Sequence, residues 1–172
     1  MRLKAKGKDI SERVLKHMAK LDELISQMRN AKVYSQKELE VLWERDRSRI
    51  KAAIDRMLDT GVTLGVALGG PAFLNLPEDQ FRQYLKNTNN DLDFQVRIVA
   101  DDFSQYVTTG DAPAPYYPMR IAIILSKAKM KDKEREFLAA WCRHFGALGR
   151  RVGGSYGDLV RRAEKLGVGP QL

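Results

Sequence analysis

The chain has a single cysteine, Cys142, and two histidines, His17 and His144, in 172 residues. One thiol excludes an internal disulfide framework and fits a reducing compartment. The histidines offer no zinc-ligand spacing, because His144 follows Cys142 by two positions on an expected helix and the two side chains diverge. No Ser/His/Asp or Cys/His set can be assembled around so few candidates. A run of about 18 apolar residues is also missing, so no membrane-spanning helix is expected. The basic start, with Lys4, Lys6 and Lys8, is not followed by an apolar stretch, and no secretory signal is expected. The glycines at 65, 69 and 70 are followed by Pro71 rather than by Lys-Ser/Thr, which excludes a phosphate-binding P-loop. Internal repeats and low-complexity tracts are absent too.

What the chain does have is a sorted distribution of charge. Residues 1–60 carry fifteen Lys/Arg against ten Asp/Glu, residues 61–117 three against seven, and residues 118–172 twelve against five, within a net charge of +8. Basic ends flanking an acidic middle point to a polyanionic partner, since clustered Lys and Arg are the electrostatic footprint of nucleic-acid binding. An anionic membrane fits less well: no helix pairs a Trp/Phe-rich apolar face with an all-basic opposite face. The hydrophobic fraction of 44% belongs to a folded protein with one well-buried core.

Apolar spacing predicts helices along most of the chain. Val14, Met18, Leu21, Ile25 and Met28 form a 4-3-4-3 stripe for a helix over 11–29, with Asp9 and Glu12 as a capping box. A second helix starts at Ser35, where Ser35 and Glu38 form a capping box and Tyr34 and Leu39 a staple, and it ends before Thr60-Gly61. Leu39, Trp43, Ile50, Ala53 and Met57 mark its seam, interrupted by Asp46 in a polar stretch at 44–49 that would project past its partner. Two long helices joined by about five residues predict an antiparallel hairpin. Residues 61–76 read as a buried, irregular, glycine-rich connector. Short helices follow at 77–86 and 91–107, the latter carrying Leu92, Val96, Val99, Phe103 and Tyr106.

Gly110 with Pro113, Pro115 and Pro118 predicts a linker at 109–118. Beyond it, helices are expected at 119–127, 133–145 and 156–166, the last two separated by a basic, glycine-rich loop of about ten residues. The expected fold is therefore mostly α: a helical hairpin, additional helices and a small basic C-terminal helical unit, divided as 1–108, 109–118 and 119–172. The alternative is an α+β fold with a small sheet from residues 62–68, 94–100 and 120–125.

The candidate nucleic-acid-binding residues are Lys127, Lys129, Lys131, Lys133, Arg150, Arg151, Ser155, Arg161 and Arg162. Alternating lysines offer mobile point charges to phosphate, and a loop leading into a helix N-terminus offers amides, Ser155 and arginines. The same residues would serve equally as a solvated surface. Asp91, Asp93, Asp101 and Asp102 would need to converge to hold a metal ion, and Asp101 and Asp102, being adjacent, point apart. No catalytic residue, metal or cofactor is assigned. The expected function is a non-enzymatic, cytoplasmic nucleic-acid-binding protein or a helical accessory subunit of a nucleoprotein complex. The alternative is a protein-interaction module that assembles with itself or with another protein through residues 9–60.

Overall fold

In the first described helix, Leu21, Leu24, Ile25 and Met28 recur at helical spacing and all four are fully buried. The computed structural model describes residues 17–170, so the basic arm at 1–8, the Asp9/Glu12 capping box and Val14 lie outside the described residues. The helices are α1 (Met18–Asn30), α2 (Gln36–Thr60), the single turn α3 (Leu64–Ala67), α4 (Glu78–Thr88), α5 (Leu92–Thr109), α6 (Tyr116–Lys127), α7 (Lys131–Val152) and α8 (Gly154–Lys165), with a 3₁₀ turn at Ala72–Asn75. The fold is mostly α. The small sheet is not formed among the described residues, because 94–100 lie in α5, 120–125 in α6, and 64–67 in α3. For 94–100 the helical stripe continues on both sides, and buried Leu92, Val96, Val99, Phe103 and Tyr106 favour one long helix over a short strand.

The starts of α2 and α5 follow local chemistry. The Ser35 amide donates to Glu38 Oε2 at 2.8 Å while the Glu38 amide donates to Ser35 Oγ at 3.3 Å, a reciprocal capping box. Hydrogen bonding from Lys32, then from Ser35, holds the Glu38 carboxyl down at about 2. At α5, Asp91 Oδ1 accepts from the Phe94 amide at 3.0 Å.

The two N-terminal helices do not zip together as a hairpin. α1 packs on α5 and α7, and α2 packs on α3 and α5. The short connection between them is pinned to α5, where the Tyr34 hydroxyl donates to the Val107 carbonyl at 2.8 Å. α1 spends its single apolar stripe on the core, which leaves it no second face for α2. Asp46 does not project past a partner either. Its side chain is only 11% exposed and grips Arg49 through both oxygens at 2.6 Å. Arg49 in turn donates to the Leu68 carbonyl at 3.3 Å and reaches Asp111 at 3.4 Å. The polar interruption is thus an ion network tying α2 to two loops.

α7 and α8 form the tight antiparallel pair of the molecule. They were expected to be shorter, with a ten-residue loop between them. Instead one residue, Gly153, joins them at φ 68 and ψ −145, a region that only glycine occupies at low cost. Gly149 lies inside α7 because α8 passes so close: a Cβ there would sit 2.5 Å from Val160 Cγ2 and 2.8 Å from the Tyr156 carbonyl oxygen. Close packing of the two helices, worth more than the helix propensity lost at a glycine, carries α7 through the expected loop.

The segment expected as a linker, 109–118, is a connector within one core. Thr109 ends α5, Tyr116 begins α6, and Pro118 occupies the first turn of α6, where a missing amide hydrogen costs nothing. Thr109, Gly110 and Pro113 are buried, and the Tyr156 hydroxyl of α8 donates to the Pro113 carbonyl at 2.7 Å. One apolar cluster runs from Leu21 of α1 to Ala163 of α8 and draws on both sides of this connector.

Candidate functional site

Helix geometry separates the nine candidate phosphate contacts. Lys131 opens α7 and Arg150 and Arg151 close it, which at 1.5 Å per residue places them about 30 Å apart. α8 then runs back, so Arg161 and Arg162 return toward the Lys131 end while Ser155 stays near the Arg150 end.

Several of the nine are occupied by neighbours. Lys133 lies 2.9 Å from Asp22 of α1 and 2.8 Å from Glu136. Arg150 pairs with Glu164 at 3.3 Å and donates to the Pro170 carbonyl at 2.8 Å. Arg151 donates to Gln36 Oε1 at 3.3 Å, and Arg161 pairs with Asp158 one turn back on α8. Arg162 turns toward the core: its Nε meets Glu134 at 2.5 Å and its Nη2 donates to the Ala122 carbonyl at 3.4 Å. The basic glycine-rich loop expected to cradle phosphate does not exist, since Gly149 to Val152 belong to α7.

Lys127, Lys129 and Lys131 are different. All three are exposed at the α6–α7 turn and carry no ion pair among the described residues. The turn closes with the Met130 amide on the Leu125 carbonyl at 2.9 Å and the Lys129 amide on the Ser126 carbonyl at 3.0 Å. This is a Schellman cap with Lys129 at the left-handed position, φ 61, where glycine is usual. Holding a lysine there costs about 1 kcal/mol of backbone strain.

α2 supplies a second surface. Of its 25 residues only Ala53 is buried. Trp43, Ile50, Ile54 and Leu58 recur at seven- and four-residue steps and share one face, about 22 Å long. Trp43 is 37%, Ile54 39% and Leu58 73% exposed. The seam read from the sequence is half right: Leu39, Ile50 and Met57 are half-buried, but the apolar strip is wider than the groove that receives it.

Two clefts flank α2 and the 110–115 connector. The first, about 570 Å³, lies between α2 and α7 and is lined by Tyr34, Leu39, Trp43, His144, Leu148 and Arg151 among others. His144 Nε2 lies 2.6 Å from the Met28 carbonyl oxygen, while Nδ1 is buried without a partner. Burial first, and Arg143 after it, hold the imidazole below its ordinary value of 6.5, so it is neutral and donates from Nε2.

The second cleft, about 460 Å³, lies between α4, α5, α6 and the connector, with Phe73, Phe81, Asp102, Gln105, Tyr116 and Tyr117 in its wall. Burial, reinforced by Asp101, pushes the Asp102 carboxyl up to about 6, against the opposing hydrogen bond of the Ala114 amide. The sequence weighs this residue only as a metal ligand, and sets it aside because Asp101 and Asp102, being adjacent, point apart. The available signal was position: 102 adjoins the buried stripe of Val99, Phe103 and Tyr106, whereas 101 lies opposite it.

Among the described residues no group of three or more His, Cys, Asp or Glu is arranged to hold a metal ion, and no helix is long and apolar enough to cross a membrane. The Cys142 thiol is buried, and that burial pushes it up to about 12, which makes it inert. Comparison with known protein families, curated proteins and solved structures finds no match to this chain.

Proposed function

We propose that the protein is a non-enzymatic interaction module that pairs with a second copy of itself through α2. The observation that carries this reading is the apolar strip of Trp43, Ile50, Ile54 and Leu58 on a 25-residue helix with one buried residue. Leaving such a strip in water forfeits the burial that stabilises helices of this length. Charge favours a second copy as its occupant. α2 holds six basic and six acidic side chains, in a chain whose net charge is +8. It is therefore a surface on which two copies meet without the repulsion carried by the rest of the molecule. The single inert thiol agrees with a cytoplasmic setting. Sedimentation velocity over a wide concentration range is expected to show a monomer–dimer equilibrium that Leu58→Glu abolishes with the circular dichroism unchanged. A monomer at every concentration would overturn the reading.

A second reading, phosphate contact in a nucleoprotein complex, is favoured by the α6–α7 turn, where Lys127, Lys129 and Lys131 stand together and Lys129 keeps its charge at a strained position. The remaining candidates contribute less, because Lys133, Arg150, Arg161 and Arg162 already have acidic partners. Three phosphate contacts predict duplex DNA binding that weakens with salt at a log–log slope of about −2.7. Fluorescence anisotropy on single- and double-stranded DNA and RNA is the measurement. Replacement of the three lysines by alanine is expected to remove the slope, and a slope that survives it would place the contacts elsewhere.

A further inference from the structure

We propose that the cleft containing Asp102 is a binding site for a small organic cation with an apolar body, an aryl or alkyl ammonium compound. The walls supply the apolar half of the recognition. Phe73 stacks on Tyr84 at 4.8 Å and on Phe81 at 6.3 Å between ring centroids, and Leu85, Ile98 and Tyr117 complete the surface. At about 460 Å³ the space matches a small-molecule site.

The charge inside it supplies the other half. Asp102 lines the cleft, and no Lys, Arg or His among the described residues pairs with it. The titratable groups around it are acidic or phenolic, apart from Arg49, which reaches Asp111 on the cleft wall and is itself held by Asp46. Asp101 lies beside it on α5, Tyr117 on α6 and Tyr156 on α8 each feel its charge, and Tyr84 of α4 adjoins Tyr117. Asp111 of the connector shares the cleft wall, with Arg49 reaching it from α2 at 3.4 Å. An anion would meet the Asp102 carboxylate, which no cation offsets among the described residues. A neutral apolar molecule would leave Asp102 desolvated and uncompensated. A cation meets both requirements, its charge against Asp102 and its body against ring faces that attract cations.

The Asp102 carboxyl is protonated through a range around pH 6, which provides a test on the unaltered protein. The probes are benzyltrimethylammonium, whose charge does not change with pH, and phenylacetate, of similar shape and opposite charge. Isothermal titration at neutral pH, with protein-observed chemical shifts to locate the site, is expected to give saturable benzyltrimethylammonium binding at the cleft and none for phenylacetate. Affinity is expected to fall about tenfold at one pH unit below the carboxyl's titration point. Asp102→Asn is expected to lose binding by a similar factor, with the helical signal retained. Equal binding of the two probes, binding insensitive to pH across this range, or the absence of shifts around Phe73, Phe81 and Tyr117 would each overturn the proposal. Should Asp102→Asn fail to fold, the pH series on the native chain decides alone.

Discussion

Replacing Arg162 with alanine is expected to cost about 3–5 kcal/mol of unfolding free energy. The reason lies with its partner. Glu134 is 3% exposed in the first turn of α7, and its carboxylate meets Arg162 Nε at 2.5 Å. The guanidinium also reaches the Ala122 carbonyl, so one side chain joins α6, α7 and α8. Removing it leaves a desolvated carboxylate with no compensating charge, a loss far greater than the net worth of the pair itself. The adjacent residue is the internal control. Arg161 is exposed and pairs with Asp158 on the same helix, so Arg161→Ala is expected to change stability by less than about 0.5 kcal/mol. Urea denaturation at neutral pH distinguishes the two. Equal losses at both positions would mean that Glu134 is satisfied by something other than Arg162.

That contrast also marks where sequence reading stops. Arg161 and Arg162 look alike in the sequence, and both were candidate phosphate contacts. Their fates separate only when α8 folds back on α7, bringing position 162 to a residue 28 places away. Local signals did better. The Ser35/Glu38 capping box, Gly61 beyond α2, the α5 stripe and the described part of the α1 stripe form as read, because each depends on residues within a turn or two of one another. The α7–α8 junction was misread for the opposite reason. Gly146, Gly149, Gly153 and Gly154 look like a loop, yet Gly146 and Gly149 are where Pro170 and Val160 press against α7, a tertiary fact invisible to propensity. The hairpin expectation failed in the same way, since two amphipathic neighbours need not choose each other when α5 and α7 offer larger apolar faces. Of the candidate site, the Lys127–Lys129–Lys131 turn was legible as a charge run. The Asp102 cleft was not, because its aromatic wall comes from α4 and α6 as well as the turn before α4.

Two titratable groups, half-buried Asp102 and buried His144, are expected to give this protein a stability–pH profile flatter than that of either single variant. The Asp102 carboxyl is raised to about 6 from its ordinary 3.8, so the folded state binds a proton that the unfolded state releases between these values. Its contribution is therefore fully present below about pH 4 and is lost as pH rises through 6. His144 works in the opposite direction. Its value is lowered by burial from the ordinary 6.5, so its contribution is present above that value and is lost as pH falls below it. As pH falls from 6.5 through 6 the two slopes oppose each other.

Asp102→Asn removes the first slope and exposes the second: stability is expected to fall on acidification below 6.5. At pH 8 the same variant is expected to exceed the wild type by about 2 kcal/mol, because the amide carries no desolvated charge. His144→Gln, which retains a donor for the Met28 carbonyl, is expected to gain stability from pH 7 down to about 4.5, whatever its absolute loss from changed packing. Asp93, held below its ordinary 3.8 first by Lys20, loses its contribution only as pH falls below that value, in every variant, and sets the lower limit of the comparison. Urea midpoints across pH for the three proteins provide the measurement. Parallel profiles would show that neither group titrates differently on folding, and with that result the charged interior assigned to the Asp102 cleft would lose its physical basis.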